Sequence, residues 1–230
     1  MTAASKGLGR ACAEALIAEG ARVYIASRDP KAIEATGRQI GAAGWSAKDM
    51  SKQGHNEELV NDAAETLGGL DILVVNAGGP PPGTFQTVPL EAWEPAIQLT
   101  LMSAVHLVHA ALPHLGRSDQ GRIVFISSIS VRQPIRNLVL SNALRGAVTG
   151  LAKTLSRELA PEGITVNSLA PDAILTDRIR EVGVTSSSPM GRFGEPAEFA
   201  AACAFLCSRQ AAYITGQTLG VDGGSLLGVH

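Results

Sequence analysis

Asp71-Ile72-Leu73-Val74-Val75-Asn76-Ala77-Gly78 is the stretch whose reading decides the fold. An unbroken apolar run that ends in a small polar turn reads as a strand covered on both faces. Strands of that kind belong to parallel sheets with helices above and below. Toward the N-terminus, Gly7–Glu19 carries Leu8, Cys12, Ala15 and Leu16 at helical spacing. Arg22–Ala26 reads as a strand, Pro30 opens a helix running to about Ile40, Trp45–Lys48 is a short strand, and Asn56–Leu67 is helical. Toward the C-terminus, Gly78–Gly83 holds three prolines and reads as a loop. There follow a mostly helical Leu90–Leu115, a strand Arg122–Ser127 and a long helix Leu138–Leu159 stopped by Ala160-Pro161-Glu162-Gly163. A strand Ile164–Leu169, a helix Glu195–Ser208 and a last short strand Thr218–Val221 complete the chain. Alternation without internal repeats predicts an α/β fold, a doubly wound parallel sheet with helices on both faces. Such sheets bind ligands beyond the carboxyl ends of their strands.

The 230 residues are 45% apolar and 17% charged, enough to bury a large core and too hydrophobic for a disordered chain. A net charge of −2 offers no electrostatic footprint for nucleic acid. Three cysteines, Cys12, Cys203 and Cys207, are an odd number that fits a reducing compartment and a cytoplasmic location better than a disulfide framework. They read as small buried hydrophobes. Pro95–Gly116 is free of charge, but its Gln98, Thr100, Ser103, His106, His109 and His114 make it too polar for a membrane span and fit a buried or subunit-interface helix. His106 and His109 read as packing or interface residues. No His, Cys or carboxylate grouping has metal-ligand spacing, so no metal is expected.

Thr2-Ala3-Ala4-Ser5-Lys6-Gly7-Leu8-Gly9 opens the first helix. Small residues let the backbone approach a phosphate, and the helix N-terminus supplies unpaired N–H groups. Asn76-Ala77-Gly78 follows the central strand, and Pro161-Glu162-Gly163-Ile164-Thr165-Val166-Asn167-Ser168-Leu169-Ala170-Pro171 closes a later unit. Ile214-Thr215-Gly216-Gln217 and Val221-Asp222-Gly223-Gly224 lie near the end. In order and spacing these segments resemble the short-chain dehydrogenase/reductase family over essentially the whole chain, most closely its 3-oxoacyl-[acyl-carrier-protein] reductase branch. The resemblance implies a single Rossmann-type domain over residues 1–230, usually assembled as a homotetramer, acting on a small-molecule carbonyl substrate.

The chain departs from that pattern at its start. Ala3 stands where the family's loop has its first glycine, which an alanine tolerates if its φ stays negative. The family also has a central strand before this loop, and here the first strand is largely absent. The expectation is that the stated start is too late, that the chain is truncated, or that another segment fills the gap; a longer chain should melt higher.

By the same resemblance, the loop residues Ala3, Ser5, Lys6, Gly7 and Leu8 would hold the cofactor's phosphates. Asp49 and Met50 would border the adenine, and Asn76, Ala77 and Gly78 the adenosine ribose. At the end of the second strand an acidic residue would hold a ribose 2′-hydroxyl. Ser27 and Arg28 stand there instead, with Lys6 close in the loop and Asp29 adjacent. A hydroxyl and two cations suit a 2′-phosphate, so NADP(H) is predicted.

The catalytic positions differ most. The family resembles an Asn, Ser, Tyr-x-x-x-Lys site, with the tyrosine as proton donor. Ser128 matches the serine, while Thr100, Ser141 and Arg145 stand at the asparagine, tyrosine and lysine positions. The segment Leu151–Pro161 fixes that register. The only two tyrosines, Tyr24 and Tyr213, lie in other segments. Serine can donate a hydrogen bond but is a poor acid. Arginine cannot shuttle protons, though it can hold ribose hydroxyls (which also makes Arg145 a cofactor residue) or an oxyanion. Losing a general acid costs about 10²–10⁴ in rate. An oxyanion site of Ser128, Ser141 and Arg145 with water as proton source would retain some reductase activity. The alternative is a nucleotide-binding pseudoenzyme acting as an assembly partner, and a third is a structural protein that binds no dinucleotide.

On the substrate side, Asp172 follows Pro171 where the family has glycine, and would disfavour anionic substrates or point to solvent. Pro171, Asp172, Ile174 and Thr176 would face the nicotinamide, with Thr176 resembling the residue that holds the carboxamide. Twelve residues separate Thr176 from Pro189, a short lid in which Thr185–Ser188 reads as flexible. Pro80-Pro81-Pro82 would form the opposite rim. Arg132 and Arg136 are candidates for an acyl-carrier-protein patch or an ordinary solvated loop.

Overall fold

In a computed structural model, residues 1–182 and 188–228 are described. The elements run α1 (Gly7–Ala18), β1 (Tyr24–Ser27), α2 (Pro30–Ile40), β2 (Gly44–Ala47), α3 (Gln53–Leu67), β3 (Ile72–Val75), α4 (Trp93–Ile97), α5 (Ser103–Leu115), β4 (Arg122–Ile126), α6 (Val139–Glu158), β5 (Thr165–Pro171), α7 (Asp177–Val182), α8 (Pro196–Cys207) and β6 (Thr218–Val221). All strand pairs are parallel. The lid stretch Thr185–Ser187 lies outside the described residues.

Local chemistry sets the boundaries. The Asp29 carboxylate accepts hydrogen bonds from the N–H groups of Lys31 and Ala32, and Pro30 occupies the first helical position of α2. Gly41 ends that helix at φ +72°, a left-handed conformation that glycine reaches without a side-chain clash. At α8 Glu195 and Glu198 form a reciprocal capping box, again with proline first.

Two cores flank the sheet. One gathers Tyr24, Leu59, Leu73, Leu107, Phe125 and Val166 under α3, α5 and α6. The other packs Ile25, Val74, Val124 and Leu169 under α1 and α8, where Cys12, Cys203 and Cys207 are buried as free thiols. Leu90–Leu115 is long and apolar enough to cross a membrane by length and composition. Its Ala104, Leu107, Val108, Ala111 and Leu115 instead pack into the first core.

The strands form two sheets, β1-β2 and β3-β4-β5-β6. Among the described residues no strand lies between β1 and β3; Met1–Ala4 crosses there. The Met1 amino group donates to the Tyr24 carbonyl (2.7 Å), and the Ala26 N–H donates to the Met1 carbonyl (3.0 Å). Ala4 N–H reaches Ala26 O at 3.1 Å, and Thr2 N–H reaches Val74 O at 3.3 Å on the other wall. Met1 and the first residues of the glycine-rich turn therefore stitch the two sheets at their carboxyl ends.

Candidate active site

The phosphate loop, Thr2–Gly9, lies between the carboxyl ends of β1 and β3. The Thr2 hydroxyl donates to the Asn76 carbonyl (2.7 Å) and accepts from the Asn76 N–H (2.8 Å), while Asn76 Nδ2 donates to the Ala3 carbonyl (3.2 Å). The side chain of Asn76 thus braces the loop. Ala77 is half-buried and Gly78 exposed, with open space around Gly78. Ser5 is tied to α2 by the Thr36 hydroxyl, 2.9 Å from its carbonyl, a link that nothing in the sequence signals. A Cβ on Gly9 would lie 2.3 Å from the Ala3 carbonyl oxygen, so only glycine allows this closeness. Ala3 itself has φ +47°. The expectation of a negative φ is corrected: the turn imposes the left-handed conformation, and alanine accepts the strain.

Ser27 ends β1 with its hydroxyl buried and without a partner among the described residues. Arg28 and Lys6 are exposed beside it. Asp29 does not counter them at close range, because its carboxylate caps α2. Asp49 is half-buried, and burial alone would raise its pKa. The Ser51 hydroxyl and N–H, with the Arg28 charge beyond, outweigh this and hold it below the ordinary carboxylate range. The Asp49 N–H donates to His55 Nδ1 (3.1 Å). Met50 is only 5% exposed: its side chain belongs to the core and its carbonyl accepts from Asn56.

Ser128 is half-buried beyond β4, and its Oγ accepts from the Ser130 N–H (3.1 Å), leaving its own proton to donate elsewhere. Ser141 and Arg145 lie one turn apart on α6. The Arg145 guanidinium donates to the carbonyls of Ile126 (2.9 Å), Ser127 (3.2 Å) and Ala77 (3.4 Å), clamping the ends of β3 and β4 together. Behind it Thr149 Oγ1 donates to the Arg145 carbonyl and meets Ser127 Oγ at 3.3 Å. Thr100 sits in a π-helical turn, Gln98–Met102, between α4 and α5. Its hydroxyl is buried with no partner among the described residues. Such turns cost regularity and often mark functional positions. Helix α6 packs against both this turn and the short 3₁₀ turn after Ser128, which brings the four positions to one end of the sheet. Tyr24 is buried in the core and Tyr213 fully exposed, so neither supplies the missing phenol.

Pro171 at the end of β5 and Asp172 just past it are half-buried, and Ile174 is buried. The Asp172 carboxylate accepts from the Ser225 hydroxyl at 2.5 Å, so it is held by the C-terminal tail. Thr176 has its methyl 3.7 Å from where a Gly7 Cβ would be, which sets it against the phosphate loop. Arg132 donates to the Thr218 carbonyl (2.7 Å), which gives it a structural partner on β6, while Arg136 is exposed.

Residues 2–225 match the family described as enoyl-(acyl carrier protein) reductase. Dehydrogenase/reductase SDR family member 4 of Bos taurus is 34% identical over 98% of this chain and 86% of its own. This chain belongs to the short-chain dehydrogenase/reductase family. The 3-oxoacyl-[acyl-carrier-protein] reductase FabG of Escherichia coli is 35% identical over 97% of this chain and 95% of its own. Among solved structures, a NADPH-bound short chain oxidoreductase of Pseudomonas aeruginosa containing an atypical catalytic center superposes with a TM-score of 0.92. It is 32% identical and is matched over 100% of this chain and 95% of that one. The L-sorbose reductase of Gluconobacter frateurii, complexed with NADPH and L-sorbose, gives 0.93 at 29% identity, over 100% and 96% of the two chains. These matches extend the short-chain family's parallel α/β architecture to the described sheet and helices.

Proposed function

We propose that this short-chain family member is an NADP(H)-dependent oxidoreductase that reduces a ketone or 3-oxoacyl substrate. In this reading one domain spans residues 1–230, assembles as a homo-oligomer and works in the cytoplasm. The observation that carries the cofactor assignment is the orphaned, buried Ser27 hydroxyl flanked by exposed Arg28 and Lys6, with Asp29 turned into its own helix. A 2′-phosphate would give that hydroxyl an acceptor and both cations a counter-charge. The N-terminus of α1, with Ser5, Gly7 and Leu8 at its approach, would take the pyrophosphate. Gly78 leaves room for the adenosine ribose, and Asp49 would border the adenine.

When bound, the cofactor supplies the hydride. Ser128 and Ser141 would donate hydrogen bonds to the substrate oxygen as negative charge develops on it. Arg145 would act on the same charge from behind, through the Ser127–Ser128 backbone that it fixes, and its positive field would stabilise the oxyanion. Thr100 would hold water near the site, the proton source in place of a phenol. Pro171, Ile174 and Thr176 would wall the nicotinamide side, and Asp172 would disfavour anionic groups beside it.

Fluorescence titration tests the cofactor: NADPH should bind in the micromolar range and NADH more weakly. Equal or absent binding of both overturns the assignment. Ser128→Ala should lower turnover on a ketone panel about tenfold or more with NADPH binding unchanged. Ser141→Tyr alone should raise it, because it adds the missing acid while leaving the Arg145 clamp intact. If NADPH binds and no variant turns over any carbonyl, the pseudoenzyme reading replaces this one.

A further inference from the structure

The turn after β2 is held from α3 by two consecutive side chains. Asn56, fully buried, donates through Nδ2 to the carbonyls of Met50 (2.9 Å) and Lys52 (3.1 Å). His55, half-buried, plays the opposite part: its Nδ1 accepts the Asp49 N–H at 3.1 Å. Asn56 therefore fixes the turn to the helix, and His55 sets the Asp49 backbone within it. The Asp49 carboxylate is itself tied at one oxygen only. Oδ1 accepts from the Ser51 N–H (3.0 Å) and hydroxyl (2.8 Å), while Oδ2 has no hydrogen-bond partner among the described residues. That second oxygen is the one left to meet an adenine amine.

A neutral imidazole carries one N–H, so a ring that accepts at Nδ1 has its proton on Nε2. A second proton must then arrive at Nδ1. There it turns the acceptor into a donor, and two donors oppose each other where the bond was. Charged groups surround the ring on several segments. Glu58, one turn further along α3, feels the ring's charge but is paired with Lys48 (2.6 Å), which also reaches Asp62. Lys52, whose carbonyl accepts the His55 N–H, and Arg28 beyond β1 place positive charge on the Asp49 side. Strands β1 and β2, packed on α3, bring only the buried Tyr24. Helix α5, also packed there, has no Asp, Glu, Lys or Arg, and His106, His109 and His114 are its titratable side chains.

We propose that His55 is a positioning residue that makes nucleotide affinity depend on pH: neutral, it holds Asp49 toward the adenine, and protonated, it releases it. This role rests on Asp49 bordering the adenine. The change is local, because Asn56 keeps both of its bonds whatever the charge on the neighbouring ring. The turn stays on α3 and the Asp49 end alone moves. The sign is fixed by the geometry: binding weakens toward acid, over the range in which imidazoles take up a proton, about pH 5–8. A 2′-phosphate also takes up a proton near pH ~6, so the ring must be varied while the ligand stays the same.

The test is calorimetric titration of NADP+ into the wild-type chain, His55→Asn and His55→Ala, at about pH 8 and about pH 5.5. Asparagine keeps an acceptor oxygen near the place of Nδ1 and takes up no proton, whereas alanine keeps no acceptor. On acidification the wild-type Kd should rise about tenfold more than that of His55→Asn. His55→Ala should bind about tenfold more weakly than the wild type at about pH 8, with the shallow pH slope of His55→Asn. Without nucleotide, the Asp49 amide should lose hydrogen-exchange protection in acid in the wild type and keep it in His55→Asn. Parallel pH curves for these two proteins overturn the proposal, as does wild-type Asp49 protection that ignores pH. So does a His55→Asn protein that binds as weakly as His55→Ala at about pH 8, since the ring would then be needed for its shape and not for its acceptor. A wild type that fails to bind NADP+ at either pH overturns the cofactor assignment itself, and the role of His55 with it.

Discussion

The two parts of the sheet are held together by different means. In β3-β4-β5-β6 every neighbour is a paired strand, the inner strands are buried on both faces, and Arg145 ties the ends of β3 and β4 at the site. Between β1 and β3 there is a ladder only at the carboxyl end, made by Met1–Ala4, above an apolar slot. The proposed oxyanion groups therefore stand on the continuous part, and the phosphate loop stands on the seam. The phosphate loop is bonded to the seam directly through Thr2 and Ala4, whereas the Ser128 hydroxyl is held by the Ser130 N–H. Cofactor affinity and catalytic geometry should be separable by mutation.

The largest effect is expected from making the continuous part resemble the seam. Arg145→Ala strands three carbonyls, and should cost about 3–4 kcal/mol in thermal unfolding. It should also speed exchange at the Ile126 and Ser127 end of β4. If exchange there does not change, the clamp is not what distinguishes the two parts. Next is Gly9→Ala, which drives a methyl into the Ala3 carbonyl and Asn76 Nδ2. NADPH affinity should fall about 100-fold, roughly 3 kcal/mol, while the exchange pattern of β4 and β5 stays as it was. Coupled loss in both parts would show that they are one unit.

A smaller effect belongs to the seam alone. Burial pulls the Met1 ammonium down from its ordinary 8.0 to about 6. Between these values the unfolded chain takes up a proton that the folded chain refuses. Stability should therefore fall as the pH drops from about 8 to about 6, by roughly 2–3 kcal/mol. Acetylation of the amine should flatten that slope, and a slope that survives acetylation must come from elsewhere. The smallest effect is Ala3→Gly, which relieves a left-handed alanine and should stabilise by about 1 kcal/mol. Urea unfolding measures it, and a destabilised variant would show that the turn gains more from the methyl than it loses in strain.

Much of the fold was legible because burial writes itself into periodicity. Ile72–Val75 read as a doubly covered strand from its unbroken apolar run, and Pro30 and Gly163 marked helix ends by backbone chemistry that needs no partner. The site was legible only as positions. Ser128, Ser141, Arg145 and Thr100 could be aligned by spacing, but spacing carries no hydrogen bonds. The carbonyl clamp of Arg145, the turning of Asp29 into α2 and the burial of Met50 all depend on which atoms arrive nearby from distant segments. Ala3 shows the same limit at one residue: its identity suggested an ordinary φ, and the packing of Gly9 against it required the opposite.

The sequence by itself determined the order of strands and helices, the glycine-rich turn before α1 and the lack of a usable tyrosine, since these follow from residue type and local period. Only the tertiary structure decided that Ser27 has an orphaned hydroxyl and that Asn76 braces the loop. Each is a question of whether a polar group finds a partner, and Asn76 finds Thr2 from 74 residues away, where sequence pattern carries no distance.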